Sequence, residues 1–299
     1  MESSAPLFWR GDYVKTQNKS AMLVGIDWNN HIHYWEDHVD LRTWLTIEFR
    51  EEKLRSPCRA TFGGFYSRGD ELRFDIQKIL AWLRSEGIAT ELGIYLPPSY
   101  LSIFSCSTQV DILEQLGAHT RFLDLNFHIP LDTWSTTSLS KGNRKKLRQW
   151  NESGGVVERV DINRLPEVYE IIESNRATLG VVPSISFTDL KSLISSFPDY
   201  YQLFVGRISE NLAAAAVQVK ITSRTNYVFF WADRLIYRHL SPVVAICEHL
   251  VAVSRSGGAD VLDLGIASER GTVNEGLARF KRNLGAIESQ KLFLNLPLN

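Results

Sequence analysis

The second half of this sequence repeats the first, and that repeat constrains the fold more than any other feature. Met22–Asn30 reads MLVGIDWNN and runs on into HIHYW, while Leu203–Asn211 reads LFVGRISEN and runs on into LAAAAVQVK. Both spell a strand, a tight polar turn and a second strand, with Gly25 and Gly206 at matching places. Further on, LRSEGIATELGIYL (Leu83–Leu96) parallels VSRSGGADVLDLGI (Val253–Ile266). In each, a helix stops at a glycine and a strand follows. LGAHTRFLDLNF from Leu116 then parallels LGAIESQKLFLNL from Leu284. The glycines keep their spacing, 30 residues from Gly87 to Gly117 and 28 from Gly257 to Gly285. Three matched segments in one order predict a duplicated unit.

The 299 residues accordingly divide into two domains of ordinary size, 1–135 and 136–299, with the polar run Asp132–Asn143 as the crossing. In the second half, periodicity predicts a basic helix (Lys141–Ser153), a strand (Val156–Val160) and two helices (Leu165–Leu179, Phe187–Ser196). A meander follows (Tyr201–Ile208, Ala213–Ile221, Asn226–Trp231), then a helix (Pro242–Ser256), a strand (Val261–Ile266), a short helix (Asn274–Leu284) and a last strand (Ser289–Leu296). The first half shows the same late pattern around a helix Asp70–Ser85 and another ending near Leu116. Antiparallel strands first and β-α-β alternation later imply an α/β (α+β) class, each domain a mixed sheet flanked by helices.

Composition narrows the function classes. With 44% apolar residues, eight Trp, ten Tyr and fifteen Phe, the chain can fill two cores. A net charge of −1 provides no global field for DNA or an anionic membrane, so contact with phosphates must come from a local patch. Cys58, Cys106 and Cys247 are far apart, odd in number and unmatched by metal-type spacing, so no metal set is assigned and a reduced, cytoplasmic setting is expected. The start, Met-Glu-Ser-Ser-Ala-Pro, lacks the basic and apolar regions of a signal peptide. No stretch reaches the roughly 18 apolar residues of a spanning helix, and a soluble protein is expected.

Four segments carry candidate chemistry. In NEGLARFKRNLG, Leu277, Phe280 and Leu284 define an apolar stripe, and Lys281, four residues after Leu277, falls within it. Either its stem lies along the core edge with its head in water, or its ammonium points into a cleft where it stabilises an anion. In WADRLIYRHLSPVV, Ser241 reads as an N-cap and Pro242 as the first helical residue, with Arg234, Arg238 and His239 just ahead. A basic loop at a helix start is an anion site or an ordinary solvated loop. Glu248, among apolar residues of that helix, is a base with a raised pKa or a structural side chain. KGNRKKLRQW concentrates Lys141, Arg144, Lys145, Lys146 and Arg148, a solvated helix face or the place for a phosphate-bearing substrate. The pair Gly63–Gly64, in SPCRATFGGFYS, suggests a bulge or a close backbone approach that serves packing. No phosphate loop, HExxH, GxSxG or Cys/His nucleophile arrangement occurs, which argues against kinase and covalent hydrolase chemistry.

In order, the basic helix, the V-G hairpin, the strand ending at Trp231, the P-x5-E helix, D-x-G-x-x-S (Asp263, Gly265, Ser268) and N-x-G-L-x-R-F-K-x-x-x-G-A (Asn274–Ala286) resemble the FemAB-like branch of the acyl-CoA N-acyltransferase superfamily. S-P-x-R-A-x-F-G-G in the first half resembles the N-terminal domain of such proteins. The resemblance spans nearly the whole chain and implies two tandem acetyltransferase-like (GNAT) domains, the second catalytic. It implies transfer of an acyl or aminoacyl group from acyl-CoA or aminoacyl-tRNA to a small-molecule or peptide amine, with no covalently bound cofactor. It maps the reaction centre onto Phe280 and Lys281, with the lysine facing the oxyanion. Arg234, Tyr237, Arg238, His239 and Ser241 then fall where a donor enters, with Glu248 as a candidate for proton transfer. Arg144, Lys145, Arg148, Asp263, Ser268 and Asn274 are the expected substrate-binding positions. The chain departs from the family at the pyrophosphate loop Q/R-x-x-G-x-G/A, where RLIYRH keeps Arg234 but has Tyr237 and His239 for the two glycines. That change disfavours CoA, and the missing long helical hairpin weakens tRNA binding. The alternative to an enzyme is a non-catalytic binding or docking module that retains the fold.

Overall fold

The structure, a computed structural model, describes residues 5–17, 21–34, 40–57, 60–101 and 106–299. Cys58 and Arg59 of the glycine-pair segment, Trp35 of the first hairpin and the first four residues lie outside the described residues. The chain forms two compact units that are not contiguous in sequence. The first comprises Met1–Leu125, Ser268–Thr272 and Ser289–Asn299; the second comprises Asn126–Ala267 and Val273–Glu288.

The first unit contains α1 (Gly11–Gln17), β1 (Ala21–Asp27), β2 (Ile32–Tyr34), β3 (Leu41–Arg50), β4 (Lys53–Ser56), β5 (Phe65–Ser67), α2 (Leu72–Glu86), β6 (Glu91–Tyr95) and α3 (Cys106–Gln115). β7 (His119–Pro130) begins in this unit and ends in the second. The second unit continues with α4 (Lys141–Glu152), β8 (Gly155–Val160), α5 (Leu165–Thr178), α6 (Phe187–Ser196), β9 (Tyr201–Ile208), β10 (Asn211–Lys220), β11 (Thr225–Asp233), α7 (Pro242–Ser256) and β12 (Val261–Ile266). After the short strands β13 (Ser268–Glu269) and β14 (Thr272–Val273) come α8 (Glu275–Asn283) and β15 (Ile287–Pro297).

Each unit has four antiparallel strands, a sequential meander in the second unit alone, then one parallel pair made by a helical crossover and a final antiparallel strand. In the first, β2, β1, β3 and β4 pair antiparallel in that order, β4 pairs parallel with β6, and β6 pairs antiparallel with β15. In the second, β8, β9, β10 and β11 pair antiparallel, β11 pairs parallel with β12, and β12 pairs antiparallel with β7. The repeat in the sequence holds for β1 and β9 and for the later crossover, but HIHYW does not match LAAAAVQVK: β2 pairs on the outer edge of β1, and β3 takes the place that β10 has in the second unit. The last members of the repeat are exchanged: β7 follows α3 yet its residues 126–130 pair with β12, and β15 follows α8 yet its residues 293–297 pair with β6.

The meander of the second unit explains its sequence. β10 reads LAAAAVQV because both of its faces are covered, and Ala213 through Val219 are all buried. The four alanines keep that strand thin between α5 and α7, which both pack on it. In the first unit, Val24, Ile26, Leu45, Ile47, Leu92 and Ile94 from the sheet close on Ile76, Ile79, Leu80 and Leu83 of α2. The Gly63–Gly64 segment runs as irregular chain ahead of β5, and a Cβ at Gly64 (φ +95°) would lie 2.8 Å from Leu96, so the pair serves packing. No helix among the described residues is long and apolar enough to cross a membrane.

Candidate active site

The second unit contains a split in its sheet. β11 and β12 pair only from Thr225–Tyr227 to Val261–Asp263, and beyond that point both strands continue without a shared ladder. Irregularities flank the separation. β11 carries an extra residue, Phe229, opposite Val217 and Gln218, and β12 carries an extra residue, Leu264, opposite Phe127 and His128. Bulges of this kind re-aim side chains and end pairing.

Local chemistry builds the β12 bulge. Asp263, fully buried, accepts from Gly265 N at 2.6 Å and from Asn126 Nδ2 at 3.1 Å. Gly265 takes φ +77°, and a Cβ there would sit 3.2 Å from Tyr227 Oη. Desolvation and the nearby Asp263 carboxylate push the Tyr227 phenol well above its usual range. Burial lowers the His128 pKa, against a smaller opposing pull from Asp263.

Helix α8 bridges the parted strands. Lys281, only 3% exposed, donates from Nζ to the carbonyls of Gly265 at 2.9 Å and Ile266 at 2.8 Å on the β12 side. Its Nζ also lies 5.9 Å from the Phe127 ring centroid. One residue earlier, Phe280 meets Trp231 of β11 edge-on at 5.9 Å. Lys281 thus points inward, as its helical phase requires, although Ala278 rather than Leu277 is the fully buried partner on that face. Asn274 caps α8, its Oδ1 accepting from Leu277 N at 3.0 Å. The resemblance counts Asn274 among the substrate-binding positions; the bond seen here is that of a helix cap.

The segment after β11 differs from a ready-made anion loop. Arg234 forms a two-point pair with Glu170 of α5, one contact at 3.2 Å, and Arg238 pairs with Asp233 at 3.0 Å. His239 donates from Nδ1 to Ile236 O at 2.9 Å, and Tyr237 is half-buried within the 3-10 turn Leu235–Leu240. Ser241 does not cap α7. It sits in the left-handed region (φ 51°) at the end of that turn, which swings its hydroxyl back to Arg238 O at 3.4 Å, so the helix starts on Pro242 without a side-chain cap. Asn175 of α5 anchors the end of β11 by donating to Asp233 O at 2.9 Å and Oδ1 at 3.0 Å.

Glu248 is half-buried on α7, and desolvation raises its pKa, yet it makes no hydrogen bond or ion pair among the described residues. On α4, Leu147 and Trp150 face inward while Lys141, Arg144, Lys145 and Arg148 are exposed. Arg144 donates to Thr137 O at 3.1 Å, Arg148 lies 3.9 Å from Glu152, and Lys146 reaches His239 O. The basic face of α4 is therefore tied to the loop after β11. Ser268 belongs to the first unit, where its hydroxyl donates to Asp124 Oδ1 at 2.6 Å and accepts from Leu125 N at 2.7 Å. The structure thus gathers Lys281, Phe280 and Asp263 around the split, groups Arg144, Lys145, Arg148 and Arg234–Ser241 along α4 and the following loop, and leaves Ser268 and Asn274 in structural bonds. Tyr227, His128, Asn175 and Trp231 join the site only through long-range pairing. Of these only His128 had a local signal, the alternation of Asp124, Asn126 and His128 along β7.

No family model and no curated protein matches the sequence. Solved structures do. The crystal structure of FemX is similar over 97% of this chain and 93% of its own, at 13% identity and a TM-score of 0.67. The structure of L-PGS from Bacillus licheniformis covers 87% of this chain and 82% of its own, at 14% identity and a TM-score of 0.61. A tandem GNAT protein from the clavulanic acid biosynthesis pathway covers 99% of this chain and 91% of its own, at 10% identity and a TM-score of 0.54. The fold is that of the FemAB-like, tandem GNAT proteins.

Proposed function

We propose that this protein is an acyl or aminoacyl transferase whose reaction centre is the split between β11 and β12, roofed by α8. The observation that carries this reading is the bridge itself: Phe280 rests on Trp231 of one strand while Lys281, buried, meets the other at Gly265 and Ile266. A parted pair of strands offers main-chain groups to an extended donor, and a buried ammonium at its edge offers positive charge where an oxyanion develops. The amine of the acceptor attacks the donor's acyl carbon directly. A C–N bond forms, the carbonyl becomes an oxyanion beside Lys281, and collapse expels the donor's thiolate or ribose alkoxide, which takes up the proton lost by the attacking nitrogen. No protein nucleophile is needed, in keeping with the missing triads.

The donor is a phosphate-bearing one, read by the exposed cations Lys145 and Arg148 of α4. Arg234 and Arg238 are already matched to Glu170 and Asp233, and Tyr237 and His239 stand where glycines would admit a pyrophosphate. Both features disfavour a pyrophosphate at the loop from Arg234 to Ser241, and with it acyl-CoA. The acceptor is a small-molecule or peptide amine.

The test is a mass-spectrometric search for acylated amine after incubation with acyl-CoAs or charged tRNAs and mixed amine acceptors, run beside a thermal-shift screen of the same donors. Transfer from one donor class, together with a rise in melting temperature on its binding, supports the reading. Stable donor binding with no transfer to any amine would overturn it and favour a docking module.

A further inference from the structure

A second cluster of chemistry-bearing side chains lies in the first unit, where β1 turns into β2. Asp27 ends β1, and the antiparallel ladder pairs Gly25 with His33. The turn brings three side chains together. Asp27 Oδ2 lies 3.3 Å from His31 Nδ1 and 3.0 Å from His33 Nε2, and the three atoms fall within 4.8 Å of one another. The other carboxylate oxygen, Oδ1, accepts from the backbone N–H of Asn29 and of His31, each at 2.8 Å. Those bonds fix the carboxylate and aim Oδ2 at the two rings, the support that metal-ligating carboxylates ordinarily receive.

The spacing suits an ion. Nitrogen and oxygen ligands about 2.0–2.2 Å from a tetrahedral metal stand roughly 3.3 Å apart, and both carboxylate–imidazole separations are already near that value. His33 and Asp27 are 19% and 13% exposed and belong to paired strands, whereas His31 is 72% exposed and leaves one side open to solvent. The neighbouring cations are compensated: Arg42 pairs with Asp75 at 2.5 Å and Glu71 at 3.0 Å, and Lys78 is held by the Asn30 carbonyl. Two imidazoles with one carboxylate select borderline transition ions over Mg²⁺ or Ca²⁺.

We propose that Asp27, His31 and His33 bind a divalent transition-metal ion of the zinc class, with solvent completing its coordination, and that the ion pins the β1–β2 turn. Binding requires both rings to be neutral with the named nitrogens deprotonated. Binding therefore releases any proton held on either ring. The site stands apart from the transfer chemistry and does not depend on it.

The test uses the full chain without an affinity tag, stripped with a chelator, then titrated with Co²⁺ by visible absorption and with Zn²⁺ by calorimetry. One ion per chain is expected, with affinity reduced at least about tenfold, toward 100-fold, in His31→Ala, His33→Ala and Asp27→Asn. His31 is exposed, so His31→Ala should match the wild type in melting temperature under chelator, while Zn²⁺ raises the melting temperature of the wild type alone. Absence of stoichiometric binding by the wild type, or binding by His31→Ala and His33→Ala as tight as that of the wild type, would overturn the proposal.

Discussion

Lys281 donates to the carbonyl of Gly265 across 2.9 Å, and Gly265 is the residue at which β12 turns into the left-handed region. One side chain thus fixes a helix to the bulged end of a strand. Removing it should be felt in stability as well as chemistry. Lys281→Met, which keeps the stem, leaves two inward carbonyls without that donor and should cost about 1–3 kcal/mol. Urea unfolding followed by circular dichroism measures it.

Gly265 itself should resist substitution. Alanine meets both the backbone penalty of positive φ, roughly 1–2 kcal/mol, and a Cβ contact 3.2 Å from Tyr227 Oη. Asparagine tolerates left-handed backbone better than alanine does. Gly265→Ala/Tyr227→Phe should recover part of the loss, because it removes the crowding oxygen. A double-mutant cycle on unfolding free energies would show the coupling.

In the first unit, Asp124 contributes to acid sensitivity. Desolvation opposes its charge, yet the Ser268 hydroxyl at 2.6 Å, the Tyr95 hydroxyl at 2.5 Å and Gly271 N at 2.9 Å together hold its pKa below the usual value. The folded state therefore favours the carboxylate more than the unfolded chain does. That stability is fully present above the unfolded pKa of about 3.9, and it is lost as pH falls through the folded value. Asp124→Asn should be less stable than the wild type at pH 7 and should unfold with a flatter acid limb, the two curves converging at low pH. Melting temperatures taken from pH 2 to 7 decide it.

Two asparagines separate structural from chemical roles. Asn274→Ala removes the α8 cap and should cost about 1 kcal/mol, while Asn274→Asp retains it. If Asn274 only caps, Asn274→Asp transfers acyl groups at the wild-type rate. Asn175→Ala frees Asp233 from its two bonds and should lower stability by about 1–3 kcal/mol, with faster amide exchange at the end of β11.

What the sequence showed depended on the range of the interaction. From Lys141 onward, apolar periodicity places every α-helix and every strand but the short β13 and β14 within about two residues of its observed ends, since each of these elements buries a regular stripe or face. The inward direction of Lys281 follows from the same 100° per residue. Pairings between distant residues leave no such trace. Arg234 meets Glu170 across 64 residues, and Asp263 meets Asn126 across 137. The basic loop consequently reads as an open anion site until its partners are in place. The exchange of β7 and β15 is equally silent, because either strand satisfies the same local pattern. Ser241 misleads for a subtler reason, since a cap residue followed by proline is a sound local signal that the preceding 3-10 turn overrides.

The central claim is that chemistry occurs at the split of the second unit, beneath α8, with Lys281 at the developing oxyanion. Its most direct test is the turnover number of Lys281→Met against the wild type, measured with the donor and acceptor found by screening, at a temperature where both are fully folded. A fall in kcat of about 100- to 1,000-fold with little change in KM is predicted. A folded Lys281→Met enzyme with near wild-type kcat would contradict the account.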